Sequence, residues 1–479
     1  MSSAAAPSAS DIIPLAAGFP EPDRGAWLAQ VEKTLKGAPL ESLTRRTLEG
    51  LPIDPLYQAS SDAAPIARAA AGWDVRAIVA APDPAVANAD ALGELAQGAG
   101  SLLLRLDPTG QDGIAVGGAD ELARVLDGVL LDVAPVALDA GFLGPKAADW
   151  LGAAAKGAPA AQLSFHLDPL SALAVAGDSP GPIEAHLIAC ATVAARLAET
   201  YPKASLFLAS GRTAHEAGGG TAAELGLAAA SALAYAKALV RAGLSMRDAW
   251  DGIVLGLSVD ADPFLGVARL RAARRIWARL AGACGAGAAA RIEARSSGRM
   301  LTRADPWTNM IRLTAGAFAG AVGGADAVAL GAFTDALGPP TAFARRQSRN
   351  VQLVLAEEAN LGRVIDPAAG SGYVETMTEA LARTGWAQFQ AIEHAGGVVR
   401  ALENGLIADM VAIDRAELSG RLSRRELKLV GVTDFAAEDL KPAEIAAPTP
   451  RAANAPSPRL PGPDSRCPPL APIRLEDLA

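Results

Sequence analysis

Short apolar runs alternate with helix-like segments eight times along the middle of this chain. The strand-like runs lie at Val75–Ala80, Leu102–Leu106, Val136–Ala140, Leu163–Leu167, Leu206–Ala209, Ile253–Val259, Ile292–Ala294 and Val328–Ala332. The helical segments that follow them lie at 84–98, 118–131, 145–157, 182–200, 221–243, 262–283, 306–322 and 340–360. Strands that never follow one another directly are typical of parallel sheets joined by crossover helices. Eight such units over about 290 residues predict an α/β fold of the (β/α)8 TIM-barrel type, assigned to residues 75–362.

The segment before the predicted barrel has two parts. Residues 1–18 are small and proline-dotted, and we expect them to be disordered. Residues 19–74 are predicted to contain a helix that Asp23 caps and Gly37 ends, followed by an extended arm. The arm is too apolar for a free linker, so we expect it to contact a partner.

The segment after the predicted barrel also divides in two. Residues 363–441 are predicted to form C-terminal helices that pack on the barrel, with a break near Gly385 and a short closing strand at 429–436. Residues 442–479 are rich in Pro and Ala and have little periodicity, which predicts a disordered tail.

Composition excludes several classes of partner and compartment. The net charge is −9 and there is no basic arm, so nucleic acid is not expected as a ligand. The three cysteines (Cys190, Cys284 and Cys467) are isolated, which suits a reducing compartment. The N-terminus does not have the pattern of a signal peptide, and charged residues interrupt the apolar segment 222–240. We therefore expect a cytoplasmic protein with no membrane span.

The stretch Ser205–Gly220 is the strongest candidate for a functional site. A strand-like run there ends in a polar cluster (Arg212, Thr213, His215 and Glu216), and three glycines and a long helix follow. The carboxyl ends of barrel strands are where this fold carries its chemistry. The cluster is therefore predicted to lie on the active-site rim.

The four histidines do not form a zinc motif, since no two of them are spaced i, i+4 with a glutamate between them. His166 ends a predicted strand, and we favour a rim histidine bonded to the backbone over a catalytic one. His186 lies in a helical pattern and is interpreted as structural. His394 is predicted to end a helix, where a cation favours the helix dipole.

Two further motifs have a structural and a functional interpretation. Residues 366–373, DPAAGSGY, are close to the loop with which many DNA methyltransferases bind their methyl donor, but the strand and the Pro-Pro site that such enzymes need are missing. A turn that starts the next helix is the favoured interpretation. In residues 270–280 four arginines fall largely on one side of a predicted helix, and we expect a solvated basic face or one that pairs with acidic groups of a partner.

Taken together, several ordered segments resemble the methylmalonyl-CoA mutase family of adenosylcobalamin-dependent isomerases. The matching stretches include WLAQVEKTLKG, GWDVR, SGRTAHEAG, DPFLGVARLRAARRIWA, DPWTNMIRLTAGAFAGAVGGADAV and RNVQLVLAEEANLGRVIDPAAGSGYVE. They cover the chain from about Trp27 to Phe435 in the family's order. The resemblance implies a TIM-type barrel, and it implies that DPAAGSGYVE has no methyl-donor role.

The chain departs from the family pattern at the positions that carry catalysis. Thr213 stands where the family has a histidine that contacts the acyl-CoA thioester, and His215 stands where it has a glutamine. Ile78 takes the position of a tyrosine that helps to drive off the adenosyl group. With Arg212, these residues are interpreted as positions of a vestigial active site. A threonine hydroxyl can donate a hydrogen bond, but it is not a titratable acid.

The family's cobalt-binding motif D-x-H-x-x-G is also incomplete. The two H-x-x-G occurrences begin at His215 and His394, and Thr213 and Ile392 stand where the aspartate belongs. Without the aspartate, the imidazole lacks the hydrogen bond that orients it. We therefore expect no flavodoxin-like cobalamin domain after the barrel, no catalytic residue, and neither metal nor cofactor bound by this chain.

The resemblance implies a small, structural subunit of a heteromeric methylmalonyl-CoA mutase. Its partner is then a large catalytic subunit that holds adenosylcobalamin. The small subunit is expected to meet acyl-CoA only as part of the complex. The alternative is a substrate-binding barrel of an acyl-CoA mutase that uses a separate cobalamin-binding polypeptide; a methyltransferase is a distant alternative. Large apolar side chains pointing into the barrel at Phe207, Leu208 and Leu255 would favour the first hypothesis, because a filled barrel binds no acyl-CoA.

Overall fold

The computed structural model describes Gly18 and residues 23–60, 64–66, 68, 72–158, 160–437, 439–447 and 449–479. It forms two compact units, Met1–Tyr57 and Gln58–Ala479. Apart from Gly18, the segment predicted to be disordered at the N-terminus lies outside the described residues.

The described part of the first unit contains one α-helix and a short ribbon. Helix α1 (Arg24–Leu35) begins where the Asp23 carboxylate accepts a hydrogen bond from the amide of Ala26 at 2.6 Å. It ends at Lys36, which is left-handed, just before Gly37. A 3-10 turn at Leu40–Leu43 then leads to an antiparallel ribbon of β1 (Arg45–Arg46) and β2 (Pro52–Ile53). The predicted cap and the predicted end of the helix are confirmed.

Eight parallel strands of the second unit close into a barrel. They are β3 (Asp74–Val79), β4 (Ser101–Arg105), β5 (Val136–Asp139), β6 (Leu163–Leu167), β7 (Ser205–Ser210), β8 (Ile253–Val259), β9 (Ile292–Ser296) and β10 (Ala327–Ala329). Each strand pairs with the next in the chain, and β10 pairs with both β9 and β3. The TIM-barrel prediction is confirmed.

Helices connect the strands and surround the barrel. They are α2 (Pro84–Ala96), α3 (Ala119–Val125), α4 (Gly144–Ala154), α5 (Pro169–Ala176), α6 (Ile183–Thr200), α7 (Arg212–Glu216), α8 (Thr221–Arg241), α9 (Met246–Asp251), α10 (Pro263–Ala283), α11 (Thr308–Val322) and α12 (Ala342–Leu353). Helix α12 continues into a π-helical turn at Val354–Glu358. After the barrel come α13 (Gly372–His394), α14 (Val398–Glu403) and α15 (Leu406–Ser423).

Helix α13 covers α8 on the outside of the barrel. The predicted break near Gly385 is wrong: α13 runs through this residue, because a glycine there lets the helix approach the side chain of Leu225. Helix α8 is long and apolar enough to span a membrane, but most of it is buried inside the protein. The closing strand predicted at 429–436 is also wrong, since that segment forms turns with a single bridge between Val430 and Asp434.

The C-terminal residues form an ordered strap along loops of the barrel, which differs from the predicted disordered tail. The amides of Ala453, Leu460 and Ile473 donate to the carbonyl oxygens of Pro108, Pro180 and Glu216 at 2.8–2.9 Å. These acceptors follow β4, β6 and β7, so the strap traverses successive loops near the carboxyl ends of the strands. The strap residues Cys467 and Leu470 are buried. Backbone bonds to the loops replace the secondary structure that its proline-rich sequence cannot form.

Candidate functional site at the carboxyl ends of the strands

The polar cluster predicted from the sequence follows β7 directly and forms the one-and-a-half-turn helix α7. Gly211 joins strand to helix, and a Cβ atom at this position would overlap the carbonyl oxygen of Glu224. Gly218 ends the segment with a φ of 104°, which glycine adopts without strain. The glycines therefore hold α7 tightly against the start of α8.

Thr213 and Arg212 are both largely withdrawn from solvent. The Thr213 hydroxyl is buried and has no hydrogen-bond partner among the described residues. The Arg212 guanidinium lies 3.7 Å from the Glu216 carboxylate. Burial, followed by the charge of nearby Arg295, lowers the pKa of Arg212. Arg212 therefore lies close to the charged residues of the barrel interior.

His215 faces α8 and the loop after β8, within a shell of charged groups. Its Nδ1 atom lies 3.5 Å from Glu224 and its Nε2 atom lies 3.6 Å from Asp260. The backbone oxygen of His215 accepts a hydrogen bond from Arg299 at 3.0 Å. Burial, and then the charges of Arg299, Arg269 and Arg212, hold the pKa of His215 well below its ordinary value. The imidazole is fully buried, and its lowered pKa favours the neutral form.

Ile78 lies inside the barrel, as its alignment with an active-site tyrosine predicts. It packs against Leu103, Ala137 and Ala329, which come from β4, β5 and β10. These strands and β3 are neighbours in the closed order, so the four side chains form an apolar layer along one side of the barrel interior. The position that could carry a phenol therefore contributes only hydrocarbon.

A chain of ion pairs crosses the barrel axis. Arg295 of β9 donates to Asp139 of β5 and to Glu293, at 2.5 Å in each case. Arg76 of β3 donates to the other oxygen of Glu293, also at 2.5 Å. Strands β5 and β9 lie opposite each other in the closed order. Side chains therefore bridge the barrel from wall to wall.

Glu293 is the centre of this network. It is almost fully buried, and burial alone would disfavour its ionised form. Attraction from Arg295 and Arg76 outweighs burial and holds the pKa of Glu293 below its ordinary range. The carboxylate is therefore charged at neutral pH and fixed between two guanidinium groups.

His166 points into the same network, and the expected backbone hydrogen bond is wrong. Its φ of 46° is left-handed, at an irregularity in the pairing of β6 with β7. Both ring nitrogens are buried without a hydrogen-bond partner among the described residues, and Nδ1 lies 3.8 Å from Glu293. Burial lowers the pKa of His166 to about 4.

The other two histidines lie as predicted. His186 is buried in α6, where its ring forms a hydrogen bond with the carbonyl oxygen of Pro180, and His394 ends α13.

Of the three apolar residues whose direction bears on the filling of the barrel, only Leu208 points inward. A Cβ atom on Gly256 would lie 3.2 Å from Leu208, on the face of β8 opposite to Leu255. Phe207 instead stacks on Tyr235 of α8 at 4.5 Å, and Leu255 packs between α8 and α10. The barrel axis is therefore bridged by charged side chains and not filled by these three apolar ones. Sequence reasoning missed Glu293 and Arg295, although their alternation with Ile292 and Ala294 is a strand signal of period two.

Two of the four arginines in residues 270–280 are buried, which corrects the predicted solvated face in part, since Arg275 is half-buried and Arg279 is exposed. Arg271 is completely buried and forms ion pairs with Asp366 and Glu375. Arg274 is also buried and bonds to Asp326 at 2.8 Å. Because Asp366 begins the DPAAGSGY motif, the motif is an internal anchor for α13, which starts after the capping residue Ser371.

The residues present do not fit a cobalamin site. Among the described residues no group of three or more His, Cys, Asp or Glu side chains is arranged to hold a metal ion. His215 is enclosed by two carboxylates, and Ile392, at the aspartate position before His394, is a buried apolar residue of α13. The sheets of the described residues are the β1–β2 ribbon and the barrel.

Residues 71–457 match the family model described as methylmalonyl-CoA mutase. A methylmalonyl-CoA mutase small subunit of Streptomyces virginiae is 42% identical over 379 residues, which cover 78% of this chain and 60% of that protein. The small subunit of Propionibacterium freudenreichii subsp. shermanii is 36% identical over 371 residues, which cover 76% of this chain and 56% of that protein. A methylmalonyl-CoA mutase of Escherichia coli (strain K12) is 34% identical over 238 residues, which cover 49% of this chain and 33% of that protein. The chain thus spans 60% or less of the length of these relatives.

Proposed function

Because this chain belongs to the methylmalonyl-CoA mutase family, we propose that it is the small, non-catalytic subunit of a heteromeric methylmalonyl-CoA mutase. In this assembly a large subunit holds adenosylcobalamin and interconverts (R)-methylmalonyl-CoA and succinyl-CoA. The present chain contributes a structural barrel. It does not bind acyl-CoA by itself and meets this substrate only as part of the complex. Its three free cysteines suit a reducing compartment and support a cytoplasmic location.

The network across the barrel axis is the observation that carries this proposal. An acyl-CoA that passed along the axis would have to displace the bridge formed by Arg76, Glu293, Arg295 and Asp139. Glu293 and both arginines are buried, so separating them would leave uncompensated charges, whereas the Asp139 carboxylate is 40% exposed and its contact with Arg295 is screened by water. The closed axis therefore supports a barrel that does not bind this substrate.

The groups at the vestigial positions support the same proposal. Thr213 offers a hydroxyl that does not titrate near neutral pH, and Ile78 has no polar atom. His215, the nearest histidine in sequence, is neutral and enclosed by Glu224 and Asp260. These three side chains offer no group that could exchange a proton at a thioester, and none that could help the adenosyl group to depart.

The proposal is tested by purifying the chain alone and together with the large subunit of the same organism. We expect a stable complex, with the absorbance of cobalamin and mutase turnover present only when the large subunit is present. Cobalamin absorbance or turnover in the isolated chain would contradict the non-catalytic role. A chain that stays separate from the large subunit would contradict the partnership.

A further inference from the structure

Helix α11 has no exposed charged residue, although it lies in the outer layer of the barrel. Its sequence, TNMIRLTAGAFAGAV, contains one charged residue, Arg312. Arg312 is buried and donates to Asn309 at 2.7 Å and to Val430 at 2.6 Å. An outer helix of a soluble barrel ordinarily presents charged and polar residues to water. The outer face of α11 is therefore unusually apolar.

The outer side of this helix carries an apolar stripe that consists of the exposed Ile311 and three half-buried side chains. Ile311, Ala315, Phe318 and Val322 follow one another at helical spacing, and Ile311 is 71% exposed. Phe264 of α10 extends the stripe, since its ring centre lies 6.5 Å from that of Phe318 and the side chain is 57% exposed. We name these five residues the α11 stripe. An exposed apolar patch of this kind marks an interaction surface.

Helix α8 is a second apolar helix of the same barrel, and its apolar surface is covered by another helix of the chain. Helix α8 is apolar on nearly all sides, and α13 lies across it so closely that Gly226 of α8 meets Gln388 of α13. Burial of the α8 surface is thus completed by the chain itself. Among the described residues, the α11 stripe is covered only at one end, where Val322 packs near Val374 and Phe264 contacts Tyr373 of α13, and Ile311 and Phe264 stay 71% and 57% exposed.

We infer that the α11 stripe is the surface through which this chain binds the large subunit. The inference rests on the proposed function and adds the location of the contact. The occupant is a different chain because the similar proteins carry the name small subunit, which implies a larger partner. The lack of charge along the stripe calls for an apolar, uncharged patch on that partner, as is usual at the centre of a lasting interface.

A pair of matched substitutions tests the inference. Ile311→Asp places a charge in the stripe, whereas Ile413→Asp places the same charge on α15, where the isoleucine is 72% exposed. We expect Ile311→Asp to weaken binding of the large subunit by about tenfold or more, because the carboxylate must be desolvated in the interface. We expect Ile413→Asp to bind like the wild type. Equal affinities of the two variants would overturn the inference.

A labelling experiment gives an independent measurement in the intact complex. Thr314 is exposed beside the stripe, so Thr314→Cys in a Cys284→Ser background offers a thiol to a maleimide. We expect rapid labelling of the free chain and slow labelling of the complex. Unchanged labelling in a complex that forms would overturn the location and leave the proposed function intact. If the wild-type chain does not bind the large subunit at all, the proposed function fails and the inference fails with it.

Self-association is the remaining outcome. If the isolated chain forms a dimer that Ile311→Asp converts to a monomer, the occupant is a second copy of this chain, and the assignment to the large subunit is overturned. Sedimentation of the isolated wild type and of the variant distinguishes these cases.

Discussion

At the scale of single residues, buried arginines hold together segments that are distant in the sequence. Arg271 of α10 pairs with Asp366 and Glu375, which anchors the start of α13 to the barrel layer. Arg76 and Arg295 pair with Glu293 inside the barrel. A buried ion pair adds little to stability by itself, but removal of one partner is costly. These residues therefore give sharp tests of the structure.

Arg271→Met is expected to lower the apparent free energy of unfolding by about 3–5 kcal/mol, because it leaves the buried Asp366 carboxylate without a cation and leaves Glu375 only the half-exposed Arg275 at 3.6 Å. Arg275→Met is the control: Arg275 lies on the same helix, pairs with Glu379 at 2.5 Å and is 38% exposed. The control should cost about 1 kcal/mol or less. Urea denaturation at neutral pH measures the free energy of unfolding of both variants. Equal losses of this free energy would contradict the burial of Arg271.

His166→Asn tests the buried histidine of the network through the pH dependence of stability. The pKa of His166 is about 4 in the folded chain, against 6.5 for a free histidine. Between these values the unfolded chain binds a proton that the folded chain does not, so stability falls as the pH falls through this window. The contribution is up to about 1.4 kcal/mol per pH unit.

The variant should therefore show a shallower loss of stability between pH 6.5 and pH 4 than the wild type. Denaturant titrations at several pH values measure the two slopes, and other buried groups such as His215 contribute equally to both. Parallel slopes would show that His166 takes up its proton in the folded chain.

At the scale of elements, regular structure was predictable and irregular structure was not. The strands Leu163–Leu167 and Ile253–Val259 agree with their predicted bounds. The second is a nearly continuous apolar run, as is typical of a buried parallel strand, and in the first apolar residues alternate with Ser164 and His166. The strap of residues 442–479 has no periodicity, since its backbone bonds to loops that are remote in the sequence. The continuity of α13 through Gly385 likewise depends on a contact with α8 that no local pattern shows.

The strap is expected to resist proteolysis in the native chain. Its backbone bonds to the barrel loops near Arg459, Arg466 and Arg474, which would otherwise be sites for trypsin. Limited digestion followed by mass spectrometry should therefore leave residues 449–479 attached, whereas the urea-unfolded chain is cut at these arginines. Rapid loss of the tail from the native protein would support the disordered segment that its composition predicts.

At the scale of the whole molecule, the fold and the family could be predicted from sequence segments that occur in the family's order. The loss of catalytic groups at the candidate site could be predicted only in part. Thr213 and Ile78 are visible as departures from the family pattern. The filling of the barrel is not visible in this way, because it depends on which side of β5 and β9 faces the axis. The structure supplies this information through the contacts of Asp139, Glu293 and Arg295. The retained scaffold and the bridged axis are the two observations on which the proposed role in assembly rests.

The central claim is that this barrel does not accept acyl-CoA. Titration calorimetry of the purified chain with methylmalonyl-CoA, in parallel with the complex that contains the large subunit, tests it directly. We predict no saturable heat for the isolated chain and saturable binding for the complex. A stoichiometric binding isotherm with the isolated chain would contradict the claim and show that the interior ion pairs open to admit substrate.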